Sequence, residues 1–315
     1  MRVVIDAHIP FLAEAIRKEW PQVDLCPLEP EAIDAEAVRD ADVLVVRTRT
    51  KVNKDLLKAS KVRLVCTATI GFDHIDTAYC DAAGINWMSC PGCNAQAVCE
   101  YIEEALFEYS AFRIQPSVIG VVGVGHVGTL VAKMAEQKGY KVLLNDPPKG
   151  IGVSLEQIAS ECDIITFHTP LTHPTPNTLH PTYHLCDEAF LTQCKPHALI
   201  INAARGGVVD EQALLRSGHP YIIDTWENEP AIDAQVLAGA FRASMHIAGY
   251  SMEGKWNASQ MCLDEIAGVC SFKRIQLPQL PPKQPQPKNW LSVVTEALKA
   301  HPNQFETLRK NYPLR

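Results

Sequence analysis

The run Ser117–Gly128, SVIGVVGVGHVG, constrains this chain more than any other segment. Val118, Ile119, Val121 and Val122 form a β-branched, uncharged stretch, which suits a strand buried on both faces of a parallel sheet. Gly123, Gly125 and Gly128 follow in G-x-G-x-x-G spacing. The first glycine permits a tight turn, the second lets the backbone approach a pyrophosphate, and the third lets the next helix pack against the strand. Thr129–Lys138 predicts that helix, whose amino terminus offers free N–H groups and a positive dipole end to phosphates. A second strand, Lys141–Leu144, leads to Asp146, eighteen residues past Gly128. A carboxylate there binds ribose hydroxyls and repels a 2′-phosphate, so the expected cofactor is NAD and not NADP.

At 315 residues the chain has room for two domains, and 47% hydrophobic residues are ample for two cores. The net charge of −7 argues against a nucleic-acid partner, which calls for a basic face. No apolar run reaches the length of a membrane span, and MRVVIDAHIPF lacks the apolar core of a signal peptide, so a cytoplasmic, non-membrane protein is expected. The 11 cysteines are odd in number and lack framework spacing, which fits small buried hydrophobes in a reducing compartment. Cys90-Pro-Gly-Cys93 has no second pair at zinc spacing and is expected to be a bend at a domain junction. No metal site is expected. His180 and His184 are four apart, but Pro181 lies between them and no acidic ligand is expected close by.

In chain order, residues 1–92 predict a small α/β unit without a phosphate loop. Its strands are Val3–Asp6, Asp42–Val46 and Val62–Cys66, with a helix at Phe11–Trp20 burying Phe11, Leu12, Ala15 and Ile16. Ligands gather at the carboxyl ends of strands in open α/β sheets, so Arg47–Lys51 and Thr67–Gly71 are expected near substrate. Arg47 and Lys51 are candidates to grip an anion, or else belong to a solvated turn. Ala95–Arg113 is a long helix crossing into a nucleotide domain that occupies residues 93–250, its first strand following Gln115. Strands Ile164–His168, Ala198–Asn202 and Tyr221–Asp224 alternate there with helical segments, as a doubly wound sheet requires. Residues 251–275, helical over Glu253–Arg274, are expected to return to the first domain. Residues 276–315 begin with a proline-rich linker, Gln276–Lys288, and carry helices at Trp290–Ala300 and Gln304–Asn311 that need a surface to dock on.

Oxidising an alcohol with NAD requires a base for the hydroxyl proton, a cation to hold the substrate and a group that orients the base. Three strand ends supply these types. Arg205 can grip a carboxylate through paired hydrogen bonds. His246 is of the residue type that serves as a proton shuttle. Glu229 can fix its ring. His126, inside the glycine turn, is expected to contribute mainly backbone. No G-x-S-x-G is present, so serine hydrolysis is not indicated.

GVGHVG with Asp146, FHTPL (Phe167–Leu171), NAARGGVVDEQAL (Asn202–Leu214), DTWENEP (Asp224–Pro230) and HIAGY (His246–Tyr250) together resemble the D-isomer-specific 2-hydroxyacid dehydrogenase family. TATIGFDHID, PGCNAQAVCEY, RTRTKVN and LLNDPP are similar to the branch acting on a phosphorylated four-carbon acid. The resemblance implies a Rossmann NAD domain inserted into a discontinuous, flavodoxin-like α/β substrate domain, with the active site in the cleft between them. It implies that Arg205, Glu229 and His246 are catalytic, and that Gly123, Gly125, Gly128, Asp146, Thr169, Asp224 and Gly249 contact NAD. It implies that Thr48, Thr69 and Tyr250 contact the substrate, and that a C-terminal segment forms a homodimer. The implied reaction is NAD-dependent oxidation of 4-phospho-D-erythronate to 2-oxo-3-hydroxy-4-phosphobutanoate, in pyridoxal 5′-phosphate synthesis. Two alternatives stay open: another D-2-hydroxy acid such as 3-phosphoglycerate, or a non-catalytic NAD(H)-sensing protein on the same scaffold. The chain departs from the pattern at Met245, where the family has proline, which is expected to loosen His246. It also departs in the short stretch Gly206–Asp224, expected to trim a helix, and in an early C-terminus, expected to leave the dimerisation segment incomplete.

Overall fold

The computed structural model describes residues 1–110, 118–283 and 286–314. The chain divides into two compact units, Met1–Asn94 with Ser251–Lys283, and Ala95–Tyr250 with Gln284–Arg315.

The first unit holds five strands, β1 (Arg2–Asp6), β2 (Asp24–Leu28), β3 (Val43–Val46), β4 (Leu64–Thr67) and β5 (Asn86–Met88). They form one parallel sheet in the order β2-β1-β3-β4-β5, the flavodoxin-like order. The side-chain period of two explains why its strands read as continuous apolar runs. Val3, Ile5, Val43, Val45, Leu64 and Cys66 face one core, while Val4, Leu44, Val46 and Val65 face another. The first core is closed by the helix Leu12–Glu19, whose Leu12, Ala15 and Ile16 are buried while Phe11 is only half-buried, and by the helix Met252–Cys270. β2 carries Pro27 and hides from a periodicity argument. It is tolerated because β2 is an edge strand.

Cys90, Cys93 and Cys262 lie within the first core. Cys90 Sγ donates to the carbonyl oxygens of Thr67 and Ala258 and sits 3.8 Å from Cys262 Sγ. Burial pushes the Cys93 thiol up to about 12, so this bend holds a protonated, inert thiol.

The second unit holds β6 (Val118–Val122), β7 (Lys141–Asp146), β8 (Ile151–Gly152), β9 (Ile164–Phe167), β10 (Leu199–Asn202), β11 (Tyr221–Ile223) and β12 (Arg242–Ala243). Their order is β12-β11-β10-β9-β6-β7-β8, parallel except for the antiparallel β7–β8 pair. The order reverses between β6 and β9, and the glycine turn leaves β6 at that switch point. The helix after the turn spans His126–Gln137, three residues earlier than expected, because Gly125 itself is its N-cap. The helix in the short Gly206–Asp224 stretch spans Glu211–Ser217. The long helix is Ala95–Ser110; the part of its expected span at residues 111–113 lies outside the described residues, as do Ser117, residues 284–285 of the linker and Arg315.

The C-terminal helix Trp290–Ala300 docks on this second unit. Trp290, Leu291, Val294 and Leu298 join its core, and the Trp290 ring meets Tyr101 edge-on. Thr295 blocks the open edge of β12: its Oγ1 accepts from Ala243 N at 2.9 Å and lies 3.0 Å from Ala243 O. A strand edge covered in this way cannot template pairing with another chain. Thr295 is buried, so Thr295→Val strands the Ala243 amide without a partner. The expected cost is about 1–3 kcal/mol, read as a lower urea midpoint with unchanged slope.

Candidate active site

Three neighbouring strands end side by side at the carboxyl edge of the second sheet. Arg205 follows β10, Glu229 follows β11 and His246 follows β12. Their common edge follows from the parallel order, since each strand enters from the same side.

His246 is the most constrained of them. Its backbone is left-handed, at φ +57°, a conformation that non-glycine residues adopt at a cost. Asp224 holds it there. The buried Asp224 carboxylate accepts from Ser244 Oγ (2.6 Å), Ile247 N (2.7 Å) and Ala248 N (3.0 Å), while its carbonyl accepts from His246 N (2.8 Å). The ring then reaches Glu229, with Nδ1 2.8 Å from Oε2. Glu229 is steadied in turn by Trp226 N, which donates to its Oε1 at 2.8 Å. Met245 is buried at 3% exposure, and His246 is anchored on both sides of it; the expected loosening finds no counterpart in this geometry. A carboxylate on Nδ1 selects the tautomer that carries its proton there and leaves the Nε2 lone pair as a base.

Arg205 lies in a turn tied to the same segment. Asn202 Nδ2 donates to Arg205 O (2.9 Å) and Thr225 O (3.3 Å), and Arg205 Nη1 donates to Ala204 O (2.8 Å). Among the described residues the other guanidinium N–H groups make no hydrogen bond or ion pair, as a carboxylate-binding arginine requires.

The glycine turn fits a dinucleotide. Gly123 has φ +90°, and a Cβ on Gly128 would lie 1.9 Å from Gly123 O, so neither position accepts a side chain. A Cβ on Gly125 meets nothing within 4 Å, which leaves its open side to a ligand. An open cavity of about 370 Å³ lies there, lined by Val124, Gly125, His126, Thr129, Leu130 and Lys149. The helix starting at His126 has no side-chain cap, so its first N–H groups face this space unclaimed by a capping side chain. Thr169 Oγ1, just past the end of β9, is buried and has no hydrogen-bond partner among the described residues, an orphan that a polar ligand group would satisfy.

Asp146 ends β7 and does double duty. Its Oδ2 accepts from Val124 N (2.9 Å) within the turn. Lys149 sits 3.4 Å from the same oxygen and donates to Val124 O (2.6 Å). Lys149 escaped the sequence reading, though its i,i+3 spacing from Asp146 was a usable signal. The expected cofactor contact at Asp224 meets a carboxylate at 1% exposure already holding three donors; its visible work is to shape the His246 segment. Gly249 lies just beyond, half-buried.

The remaining expected residues lie elsewhere. Thr48 is exposed after β3, Thr69 is half-buried after β4, and Tyr250 is half-buried at the end of the second unit's long segment. Arg47 corrects an expectation. It is neither a free anion grip nor a solvated turn, since its Nε and Nη2 bond both oxygens of the fully buried Asp6 at 2.8 and 3.0 Å.

His184 corrects another, that no acid lies near it. Folding brings Glu227 Oε1 within 2.6 Å of its Nε2 and Asp210 Oδ2 within 3.6 Å of its Nδ1. Among the described residues, no group of three or more such side chains could hold a metal ion. Behind it, Glu211 accepts from Glu227 N (2.8 Å), and burial pushes its carboxyl up to about 7. These residues brace the loop that carries Glu229.

The chain is similar to known proteins along its whole length. Residues 100–248 match the family described as D-isomer specific 2-hydroxyacid dehydrogenase, NAD binding domain. Erythronate-4-phosphate dehydrogenase of Bacteroides fragilis is 43% identical over 346 residues, covering 100% of this chain and 97% of the relative. Its counterpart in Pseudomonas putida is 38% identical, covering 94% of this chain and 80% of that one. Among solved structures, NAD+-bound 3-phosphoglycerate dehydrogenase of Entamoeba histolytica superposes with a TM-score of 0.67 at 26% identity, covering 88% of this chain and 99% of that one. D-lactate dehydrogenase of Aquifex aeolicus, in complex with NAD and lactic acid, shares the fold at a TM-score of 0.66 and 23% identity, over 85% of this chain and 96% of that one.

Asp146→Ser removes the charge that repels a 2′-phosphate while leaving a small polar side chain. The expected result is a fall in the NAD-over-NADP ratio of kcat/KM by about tenfold or more, on the scale of one charge interaction. An unchanged ratio would confine Asp146 to its bond with Val124.

Proposed function

The chain belongs to the D-isomer specific 2-hydroxyacid dehydrogenase family, and within it to the erythronate-4-phosphate dehydrogenases; from that premise we propose that it oxidises 4-phospho-D-erythronate at C2 to 2-oxo-3-hydroxy-4-phosphobutanoate, a step of pyridoxal 5′-phosphate synthesis. The observation that carries the chemistry is the 2.8 Å bond between His246 Nδ1 and Glu229 Oε2 on the strand edge that also bears Arg205. A protein that only sensed NAD(H) has no need of an oriented base on the same strand edge as a guanidinium that makes no ion pair among the described residues.

NAD, when bound, takes the hydride released from C2. His246 Nε2 takes the proton of the C2 hydroxyl, and Glu229 balances the imidazolium that results. Arg205 binds the substrate carboxylate in a bidentate pair and so fixes C2 relative to His246. Gly123, Gly125, Gly128, Asp146, Thr169 and Gly249 hold the cofactor, with Asp224 shaping the wall beside it. Thr48, Thr69 and Tyr250 contact the substrate. The first unit is the substrate-binding domain and residues 95–250 are the nucleotide-binding domain.

The enzyme works in the cytoplasm, in keeping with 11 free cysteines, nine of them buried. Among the described residues no helix is long and apolar enough to cross a membrane. It is a homodimer. Two exposed apolar side chains support that reading, Phe107 on the helix Ala95–Ser110 and Val293 on the docked C-terminal helix, at 52% and 65% exposure.

Purified protein is expected to reduce NAD with 4-phospho-D-erythronate far faster than with 3-phosphoglycerate, by initial-rate assay; equal or inverted rates reassign the substrate. His246→Ala is expected to lower kcat by on the order of 10²–10⁴ while NADH still binds, as judged by fluorescence titration. Retained turnover removes His246 from the mechanism. Light scattering at micromolar concentration should give twice the chain mass, and a monomer would refute the homodimer.

A further inference from the structure

Four groups at the carboxyl end of β4 form one hydrogen-bonded chain. Thr69 Oγ1 lies 2.9 Å from the carbonyl oxygen of Gly71. Thr67 Oγ1 lies 2.7 Å from Thr69 Oγ1. His74 Nε2 lies 3.1 Å from Thr67 Oγ1.

The direction of every proton follows from its last member. A carbonyl oxygen has no proton to give, and a hydroxyl has one. The Gly71 carbonyl therefore takes the proton of Thr69. Thr69, its proton spent, accepts from Thr67. Thr67, its proton spent in turn, accepts from His74. The ring of His74 thus carries a proton on Nε2. Its surroundings favour the neutral form of that ring, since burial holds the imidazole below its ordinary pKa, outweighing the opposite pull of Asp73. Thr67 is fully buried, so no water can reverse the chain at its middle.

Thr69 is half-buried and keeps one lone pair beyond the one that Thr67 fills. It faces a ligand as an acceptor only. On the reading of the substrate given above, on which this inference rests, the carboxylate offers acceptors and the C2 hydroxyl proton belongs to His246. The donor left over is the C3 hydroxyl.

We propose that His74 is a specificity-determining positioning residue: donating from Nε2 through Thr67, it holds the Thr69 hydroxyl as an acceptor and so selects 2-hydroxy acids that carry a second hydroxyl at C3.

The experiment compares 4-phospho-D-erythronate with its 3-deoxy analogue in the wild type and in His74→Leu, His74→Gln and Thr67→Val. The wild type should favour the 3-hydroxy substrate by about tenfold in kcat/KM, the worth of one hydrogen bond. His74→Gln, which keeps a donor, should retain that preference. His74→Leu and Thr67→Val should reduce it to about threefold or less with NADH binding unchanged, the loss falling on KM for the 3-hydroxy acid more than on kcat. Thr67→Val breaks the same chain without touching the ring, so it decides the matter if His74→Leu does not fold. A preference that survives both variants overturns the proposal. Independently of activity, nitrogen NMR of histidine-labelled protein, with His74 assigned from His74→Gln, should show the neutral Nε2–H tautomer at neutral pH. An Nδ1–H tautomer, or an imidazolium at neutral pH, overturns it as well. If the wild type turns over neither acid, the substrate reading falls and takes the C3 assignment with it, while the tautomer spectrum still reports on the chain from His74 to Thr69. The two failures are therefore distinguishable.

Discussion

The buried carboxylate of Asp224 is the constraint on which the catalytic edge depends. A charge with 1% exposure is costly unless fully hydrogen-bonded, and Asp224 meets that demand with Ser244 and the amides of Ile247 and Ala248. In satisfying itself it folds residues 244–248 into a tight path around its two oxygens. His246 takes the left-handed conformation this path requires, a strain of order 1–3 kcal/mol that the surrounding bonds over-determine. Ser244 passes the constraint outward, since its hydroxyl also lies 2.8 Å from Tyr101 Oη on the long helix. The ring of His246, the proposed base, is aimed by a network that the proposed proton transfer does not use.

The same economy recurs along the strand ends. Asn202 bridges two turns and sets Arg205. Glu211, His184 and Asp210 brace the loop of Glu227 and Glu229. At the other end of the sheet Asp146 and Lys149 clasp the amide and carbonyl of Val124, so the residue proposed to read the ribose also holds the glycine turn in shape. Polar residues at this edge thus work in pairs, one facing the ligand and one holding its neighbour, because an edge built of loops has no ladder of its own to stiffen it.

Much of this was legible in the chain. Continuous apolar runs gave β1, β3, β4, β6, β9, β10 and β11 to within two residues at each end, since parallel strands are apolar on both faces. Arg205 and Glu229 stood out because each follows such a run, and His246 because it opens the HIAGY motif. The edge strands β2, β5, β8 and β12 did not, because they are short and most of their residues are only partly buried, so their sequences lose the pattern. The start of the helix at His126 was missed because the cap is a glycine, which carries no side-chain signal.

What the sequence by itself determined is the set of local instructions: the glycine spacing, the strand ends that carry chemistry, the acid at Asp146 and the motifs that mark the family. These are legible because each is encoded by neighbours along the chain. Only the tertiary structure decided that Arg47 is spent on Asp6, that two carboxylates flank His184, that Thr295 closes the edge of β12, and that His74 sets the proton of Thr69 through Thr67. Most of these depend on partners far apart in sequence. In the last, a chain of protons takes its direction from a single carbonyl, and a string of residue letters carries no record of which atoms end up within 3 Å of one another.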